Sequence, residues 1–245
     1  MKQNIYDNPQ FFKGYIKLRE TNNGLNDILE QPVLRTLLPR LEGLKVLDIG
    51  CGMGQFTLYC AQQGATKVIG ADISNKMIEF AKKHNDNNKI EFICCAVEDL
   101  SFKNESFNLV VSSLVLHYVK NYREIISKIY KILDVGGIFI FSMEHPVVTS
   151  QNPMQGWILD EQGKKTYWPV DYYSKESERK QSWFIDGVIK YHRKMETIIN
   201  ELIEVGFQIE CIKEPEVISE FLVERPELEE HSRRPPFLIV KCIKK

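Results

Sequence analysis

One short stretch, residues 46–54, constrains the fold of this 245-residue chain more than any other. It reads Val-Leu-Asp-Ile-Gly-Cys-Gly-Met-Gly, so an apolar run ends in three glycines at alternate positions. A buried strand that leads into a glycine-rich turn and then a helix begins a nucleotide-binding α/β unit. Glycine allows a tight turn and lets a ligand approach the backbone without meeting a Cβ. The following helix would direct its N-terminal N–H groups at an anionic part of that ligand.

Two details distinguish this turn from the dinucleotide-binding version. The spacing is Gly-x-Gly-x-Gly, and Asp48 stands two residues before the first glycine. A second acid, Asp72, closes the next apolar run, where a carboxylate could accept both hydroxyls of a ribose. The position of the third glycine disfavours a NAD-binding domain. Taken singly, each feature has a plainer interpretation, in which the turn is only a turn and Asp72 only caps a helix that begins at Ser74.

At these residues the chain resembles the class I S-adenosylmethionine-dependent methyltransferases, specifically the small-molecule type called methyltransferase-11-like. The resemblance continues through residues 90–102 and 106–117, and it covers residues 40–145 well and the rest loosely. It implies an enzyme that uses S-adenosyl-L-methionine as its methyl donor. It also implies a Rossmann-like, doubly wound, seven-stranded sheet that is mostly parallel, with an antiparallel last strand.

The order of apolar segments predicts the same α/β architecture. Strands are predicted at 44–49, 67–71, 90–94, 107–112 and 137–143, and helices at 54–63, 75–83 and 121–133. Alternation of this kind implies a parallel sheet with helices on both faces. We expect the pair Gly136-Gly137 to end the last of these helices.

The chain is predicted to be a single methyltransferase domain in four parts. Residues 1–41 would form an N-terminal helical cap, with one amphipathic helix through Phe11 and Tyr15 and a second helix bent by Pro32. Residues 42–145 would bind the cofactor, and residues 192–245 would complete the sheet with a helix near 195–205 and strands near 207–213 and 237–243.

The remaining part, residues 146–191, contains all three tryptophans and shows little periodicity. A long segment without regular structure inside a compact domain is typical of a lid, so we expect an aromatic-rich lid insertion over the substrate. The alternative is a small satellite core packed under a long loop. Arg233 and Arg234 follow in the 214–236 loop and could bind an acidic group of the substrate, or they could form a solvated surface.

Composition limits the partners. The net charge of −1 and the pI near 6.5 disfavour nucleic acid and anionic membranes as ligands. No apolar run is long enough to span a membrane, and the N-terminus lacks the apolar core of a signal peptide. The six cysteines show no Cys-x-x-Cys pair and the five histidines no metal-ligand spacing. We therefore expect a cytoplasmic protein without a metal, a monomer or homodimer, that acts on a small molecule.

The resemblance also implies a set of cofactor contacts. The glycine turn would lie against the aminoacyl part, Asp72 would hold the ribose, and a tyrosine and an arginine one helical turn apart would close over the carboxylate. Many relatives carry an aspartate where Ala96 stands, so the contact to the adenine amino group must come here from Glu98, from backbone, or not at all. The candidate cofactor-binding residues are Tyr15, Arg19, Gly50, Cys51, Gly52, Gly54, Asp72, Ile73, Met77, Ala96, Val97, Glu98, Ser113 and Leu114.

Methyl transfer requires little from a protein beyond in-line placement and desolvation of the nucleophile. An oxygen or nitrogen nucleophile can also need a base that titrates near neutral pH, which points to histidine. The candidates are His145, His192 and His117, and Glu144 could orient the first of them or act itself. His145 follows the fifth predicted strand, so we expect it within reach of the acceptor.

Three functions fit these residues. The first is a methyltransferase that acts on an oxygen or nitrogen atom of a small molecule. The second is a catalytically silent S-adenosylmethionine-binding module that regulates a partner. The third, a protein or nucleic-acid methyltransferase, is disfavoured by the near-zero charge and by the lack of an Asn-Pro-Pro-Tyr-type motif after the fourth strand. An enclosed pocket under residues 146–191 would favour the first, an open groove the third, and a collapsed pocket the second.

Overall fold

The computed structural model describes residues 2–20, 24–217 and 219–245, which form eleven strands. In chain order these are β1 (Lys45–Ile49), β2 (Lys67–Asp72), β3 (Ile90–Cys94), β4 (Phe107–Ser113), β5 (Leu133–Glu144), β6 (Ile158–Leu159), β7 (Lys165–Tyr167), β8 (Ser177–Trp183), β9 (Ile185–His192), β10 (Phe207–Lys213) and β11 (Phe237–Lys244). Seven of them form one sheet in the order β10-β11-β5-β4-β1-β2-β3. Only β11 runs antiparallel, against β5 and β10, which confirms the predicted Rossmann-like fold.

Helices cover both faces of this sheet. They are α1 (Pro9–Glu20), α2 (Gln31–Thr36), α3 (Gln55–Gln62), α4 (Asn75–His84), α5 (Tyr122–Ile132), α6 (Pro146–Thr149), α7 (Met195–Val205) and α8 (Ser219–Glu224). One face is buried under α5 and α7, in a core that includes Ile126, Phe141 and Leu202. The opposite face is buried under α2 and α3, around Leu34 and Phe56. The carboxyl ends of the parallel strands are left open for a ligand.

The predicted core strands match the observed ones within a few residues because each is a local apolar run. The central strand β1 pairs in parallel with β2 and β4, and only its first residue, Lys45, is exposed. A strand buried on both faces is expected to be mostly apolar, as Val46, Leu47 and Ile49 are, and Asp48 is the one buried acid in it.

The prediction that Gly136-Gly137 ends the helix before β5 is wrong. Helix α5 ends at Ile132, and β5 begins at the next residue. The strand pairs with β4 at Leu133 and again from Ile138, so the residues between them bulge out of the ladder. Gly136 has a φ of +78° there, a conformation that glycine adopts without strain.

The predicted amphipathic helix in residues 1–41 is α1, which follows a short 3-10 turn at Ile5–Asp7. The second predicted helix is shorter than expected and divided in two. Residues Asn26–Glu30 form one π-helical turn, and α2 follows with Pro32 at its start. Because proline lacks an N–H and is tolerated only in the first turn of a helix, the irregular turn lies directly before it.

Residues 146–191 are more regular than predicted. Strands β8 and β9 form an antiparallel hairpin, and β6 and β7 form a smaller one. The β8–β9 hairpin lies against the N-terminal segment, where the Gln3 amide donates to Ile189 O and accepts from Ile189 N. The expectation of a segment without regular structure is therefore wrong. The sequence did not predict these strands because short strands with polar outer faces show little apolar periodicity. No helix within the described residues is long and apolar enough to cross a membrane.

Candidate active site

The glycine turn between β1 and α3 is held by backbone hydrogen bonds and by close packing. Gly50 N and Cys51 N both donate to Ala71 O, at 2.7 and 3.1 Å. Gly50 has a φ of +74°, and a Cβ on it would lie 2.0 Å from Val115 Cγ2. Gly52 also has positive φ, but a Cβ there would meet no atom within 4 Å. The first glycine is thus required for packing, whereas the second faces open space that a ligand can fill.

Asp72 lies at the end of β2, directly beside this turn. Its Oδ2 accepts from Gly52 N at 2.9 Å, and its Oδ1 accepts from Ser74 N at 2.8 Å. The residue is 9% exposed, and burial raises the pKa of its carboxyl against the effect of the two backbone donors. Ser74 itself caps α4, since its Oγ accepts from Met77 N. Asp72 therefore orders the turn and the start of the helix and still forms part of the cavity wall.

A second acid, Asp48, is buried beneath the turn. It is 2% exposed, and Thr57 Oγ1 donates to its Oδ2 at 2.6 Å. Burial raises the pKa of Asp48 to about 7, and the nearby charges of Asp72 and Glu30 act in the same direction. Its carboxyl accordingly loses a proton in the neutral range, and an adjacent cation would favour that loss.

Two adjoining cavities open beside the turn, at the carboxyl ends of the strands. The larger has a volume of about 480 Å³ and reaches from the turn to the β8–β9 hairpin. The smaller, about 440 Å³, extends towards Asp48 and α3. Both are lined by Tyr15, Arg19, Asn26, Gly50, Gly52 and Ser113. Together they form a two-part site with the glycine turn at its centre.

The structure brings most of the candidate cofactor residues to these cavities. The larger cavity is lined by Tyr15, Arg19, Gly50, Gly52, Asp72, Ile73, Met77, Ala96, Val97, Glu98, Ser113 and Leu114. Cys51 lines only the smaller cavity. Gly54 lines neither of them. A Cβ on Gly54 would lie 2.6 Å from the Phe92 ring, so this glycine allows α3 to pack against β3.

Arg19 lies at the wall of both cavities with its guanidinium already engaged. It pairs with Asp27 at 2.9 Å and donates to Asn26 Oδ1 and Gln55 Oε1, at 2.6 and 2.9 Å. These contacts join α1 to the π-helical turn and to the start of α3. Tyr15 lies one helical turn earlier, and burial raises the pKa of its hydroxyl.

A buried hydrogen-bond network, which the sequence did not reveal, holds the end of β4. Glu30 is fully buried, and its Oε1 accepts from Ser142 Oγ at 2.6 Å and from Ser113 Oγ at 2.9 Å. Ser142 Oγ also accepts from Leu114 N, and Leu114 has a φ of +56°. Burial raises the pKa of Glu30, while the two hydroxyls oppose that shift. The network fixes a strained residue at the cavity wall, since non-glycine residues rarely adopt this conformation.

The far end of the larger cavity is polar. Lys190 of β9 is 2% exposed and donates to Glu144 Oε1 and to Gln181 Oε1. Burial by itself would raise the pKa of Glu144, but Lys190 and His117 hold it below its ordinary value. His117 is 2% exposed, and its Nδ1 accepts from Glu144 N at 3.3 Å. All four side chains line the cavity.

Two of the three candidate bases lie elsewhere. His145 caps α6, since its Nδ1 accepts from Val147 N at 3.1 Å, and its Nε2 contacts Glu214 Oε1 at 2.8 Å. His192 contacts Thr149 Oγ1 through Nδ1 at 2.8 Å and Tyr173 O through Nε2 at 2.9 Å. Neither lines the cavities, and both rings use both nitrogens for structural contacts. We therefore correct the expectation that His145 lies beside the acceptor. Of the three histidines, only His117 lines a cavity.

The tryptophans divide between two environments. Trp183 lines the larger cavity and contacts Phe11 edge-to-face at 5.1 Å. Trp157 instead contacts Trp168 at 5.4 Å. The Arg234 guanidinium lies 3.9 Å from the centre of the Trp168 ring, and burial lowers its pKa to about 10. Trp157 and Trp168 thus pack against each other and Arg234 outside the cavities, whereas the β8–β9 hairpin lines the larger cavity.

The comparisons with known proteins agree with this architecture. A family model described as a methyltransferase domain matches residues 47–141. The crystal structure of an S-adenosylmethionine-dependent methyltransferase from Mesorhizobium loti is similar to this chain, with 38% identity, a TM-score of 0.82, and coverage of 88% of this chain and 97% of that one.

Two further relatives match along most of their length. A candidate S-adenosylmethionine-dependent methyltransferase from Listeria monocytogenes shares 40% identity with a TM-score of 0.84, over 88% of this chain and 96% of that one. An uncharacterized protein of Haemophilus influenzae is 36% identical over 99% of this chain and 98% of its own. From its fold, its glycine turn and these relatives, the chain belongs to the S-adenosylmethionine-dependent methyltransferases.

Proposed function

We propose that this protein transfers a methyl group from S-adenosylmethionine to an oxygen or nitrogen atom of a small molecule. The observation that carries the proposal is the shared wall of the two cavities. The smaller cavity extends from the glycine turn towards Asp48, and the larger one runs from the turn and Asp72 to an aromatic and polar chamber under the β8–β9 hairpin. A cofactor and a separate acceptor can therefore meet at Gly50, Gly52 and Ser113.

The residues present fit the cofactor on chemical grounds. Asp72 offers a carboxylate to the ribose hydroxyls, and the open space beside Gly52 is a cradle that a Cβ would fill. Ile73 and Met77 supply apolar contact for the adenine, which Ala96, Val97 and Glu98 would border. In the smaller cavity, the acid Asp48 suits the ammonium of the aminoacyl part, and Arg19 would exchange one of its partners to bind the carboxylate.

The chain's own residues place the methyl acceptor and exclude water from it. When bound, S-adenosylmethionine would supply a methyl group to the acceptor's lone pair, with the carbon–sulfur bond electrons left on sulfur and the acceptor's proton released to solvent. Ser113 borders both cavities, and Leu114 borders the larger one. The β8–β9 hairpin and the N-terminal segment exclude water from the acceptor, which makes its lone pair more reactive. Burial lowers the pKa of His117 to about 4, so its ring is neutral at the working pH.

We extend the proposal to the rest of the chain, its partners and its location. Residues 192–245 complete the same sheet as residues 42–145, which supports one methyltransferase domain with a cap and a lid. A net charge of −1 supports a small molecule rather than nucleic acid as the substrate. A cytoplasmic monomer or homodimer fits the six cysteines, none of which forms a disulfide among the described residues.

The proposal is tested by separating acceptors by size. The protein is incubated with methyl-labelled S-adenosylmethionine and a cell extract that ultrafiltration has divided into small molecules and macromolecules. We expect label in a product of the small-molecule fraction, and at least about tenfold less with Asp72→Ala at the same subsaturating cofactor concentration. Label in protein or nucleic acid would favour the macromolecular alternative. Cofactor binding without label in either fraction would favour the silent regulatory module.

A further inference from the structure

The polar end of the larger cavity has a fixed pattern of hydrogen-bond donors. It consists of Lys190 and Gln181 from the β8–β9 hairpin, Glu144 from β5, and His117, which follows β4. We refer to these four residues as the polar pole. The charges of Glu144 and Lys190 cancel within the pole, because the ammonium lies against the carboxylate. A bound molecule therefore does not need a net charge of its own.

The orientation of the Gln181 amide follows from its partner. An ammonium can only donate hydrogen bonds, so the atom that contacts Lys190 Nζ must be the amide oxygen, Oε1. The Gln181 Nε2 group then carries two N–H donors. It has no hydrogen-bond partner among the residues that the structure describes, and the residue lines the cavity.

The tautomer of His117 follows in the same way. A backbone N–H can only donate, so His117 Nδ1, which receives the bond from Glu144 N, carries no proton in the neutral ring. The proton lies on Nε2, which has no partner within the described part of the chain. His117 and Gln181 thus both use their acceptor atoms on protein groups and leave N–H donors for a ligand.

Glu144 adds one acceptor to this set. Its Oε1 receives the Lys190 bond, but its Oε2 is shielded from water and lacks a hydrogen-bond partner among the described residues. An unsatisfied buried carboxylate oxygen is costly, and an O–H or N–H from a bound molecule would remove that cost. The polar pole as a whole therefore favours a ligand that has an oxygen acceptor next to an O–H or N–H donor.

The walls beside the pole are aromatic. The ring of Tyr118 lies 4.2 Å from that of His117, and Trp183 and Tyr6 line the same cavity. The Trp183 ring also lies 6.0 Å from Lys190 Nζ. Flat side chains around a small polar group favour a planar ligand, because ring faces can stack while the polar edge is hydrogen-bonded.

We propose that the polar pole binds the methyl acceptor as a planar aromatic molecule with an oxygen acceptor beside an O–H or N–H donor. Hydroxylated aryl carbonyls and cyclic aryl amides have this arrangement. The oxygen accepts from His117 Nε2 and Gln181 Nε2, and the adjacent donor faces Glu144 Oε2. This inference rests on the proposed function, since it assigns the far end of the larger cavity to the acceptor. It makes the β8–β9 hairpin the element that determines specificity.

The test uses carbostyril, a planar cyclic amide, as the probe and equilibrium dialysis as the measurement, with the protein saturated by S-adenosylhomocysteine. The N-methyl derivative lacks the donor but keeps the carbonyl, and naphthoate is a planar anion. We expect carbostyril to bind about tenfold tighter than its N-methyl derivative, the effect of one hydrogen bond to a charged group, and naphthoate to bind more weakly than either.

Variants test the two N–H donors. Gln181→Met and His117→Phe should each weaken carbostyril binding by about threefold to tenfold, the range for one neutral hydrogen bond. The matched control is Lys180→Met, at an exposed position on the same strand, which should change nothing. Affinity for S-adenosylhomocysteine, measured in the same samples, should stay within about threefold of the wild type, because the pole is assigned to the acceptor.

The outcomes separate this inference from the proposed function. If the wild-type protein does not bind S-adenosylhomocysteine, the proposed function itself is contradicted. Retained binding of that ligand with no probe binding, with equal binding of carbostyril and its N-methyl derivative, or with tighter binding of naphthoate would overturn the polar pole alone. The wild-type comparison of probes decides the matter even if a variant fails to fold.

Discussion

Gly52 N donates to Asp72 Oδ2 at 2.9 Å, so the glycine turn and the acid at the end of β2 are joined by a direct hydrogen bond. This contact leaves Asp72 Oδ1 to Ser74 N and orders both segments before any ligand arrives. A carboxylate positioned in this way can bind a ribose without a further loss of side-chain conformational entropy.

The Asp72 carboxylate should contribute strongly to cofactor affinity. We expect Asp72→Ala to lose about 1.5–3 kcal/mol of binding free energy, the range for hydrogen bonds to a charged group. The control is Asp7→Ala, because Asp7 also binds the start of α4, through Ser74 Oγ at 2.6 Å, but lies outside both cavities. That variant should lower stability and leave affinity near the wild-type value. Titration calorimetry and thermal unfolding measure the two effects, and equal affinity of both variants would show that Asp72 is only a cap.

The first two glycines of the turn should respond differently to alanine. Gly50→Ala places a Cβ 2.0 Å from Val115 Cγ2, so we expect a loss of stability of several kcal/mol or failure to fold. Gly52→Ala meets no protein atom, so its cost should be only the roughly 1–2 kcal/mol of a left-handed residue. Its methyl group enters the cavity, and cofactor affinity should fall at least tenfold. Chemical denaturation and calorimetry test the pair, and a stable Gly50→Ala protein with normal affinity would refute the assigned geometry.

Replacing Trp183 with alanine should affect methyl transfer, whereas replacing Trp157 should affect stability. Trp183→Ala removes a wall of the larger cavity, so methyl transfer to the small-molecule fraction should fall while affinity for S-adenosylhomocysteine changes little. Trp157→Ala removes a ring that packs on Trp168 and Arg233, so it should lower the unfolding temperature without a specific loss of transfer. The reverse pattern would mean that the β6–β7 region, rather than the β8–β9 hairpin, covers the acceptor.

His145 should prove structural. We expect His145→Ala to lower the free energy of unfolding by about 0.5–2 kcal/mol through loss of the α6 cap. The rate of methyl transfer should fall less than tenfold, because neither ring nitrogen is available to an acceptor. The rate is measured under conditions in which the variant is fully folded. A loss of a hundredfold or more would restore His145 as the base.

Asp48 should make stability decrease with rising pH. Its pKa is about 7 in the folded protein and lower in the unfolded chain, so the folded state binds more protons in between. Its stabilising effect is complete below the unfolded value and is lost as the pH rises through about 7. We expect Asp48→Asn to reduce the loss of stability between about pH 6 and about pH 9 by about 1–3 kcal/mol. Urea unfolding of the wild type and the Asp48→Asn variant across this range tests the prediction. The control is Asp86→Asn, at an exposed position. Parallel profiles of stability against pH for all three proteins would contradict the raised pKa of Asp48.

The central sheet could be predicted from the sequence because each strand is a short apolar run whose environment is local. The positions of Asp72 and the glycines followed, since the carboxyl ends of parallel strands meet at one edge. Glu30 could not be predicted in the same way. It lies in a helical segment, and its role depends on Ser113 and Ser142, which approach it only in the folded sheet.

The polar pole was likewise hidden from the sequence. Lys190 and Gln181 reach the cavity only because the β8–β9 hairpin folds back against the N-terminal segment, through Gln3 and Ile189. The order of residues favoured His145, which follows β5 directly. The structure instead uses that ring for the cap of α6, a contact with the residue two positions further along the chain. Local capping competes with catalysis for such a histidine, and no periodicity distinguishes the two.

Calorimetric titration of the wild-type protein with S-adenosylmethionine, S-adenosylhomocysteine and NAD tests the central claim most directly. The Gly-x-Gly-x-Gly turn joined to Asp72 predicts that one molecule of either sulfur compound binds per chain. It also predicts that NAD gives no heat of binding under the same conditions. Tight binding of NAD without binding of S-adenosylmethionine would contradict the assignment of the cavities beside the turn.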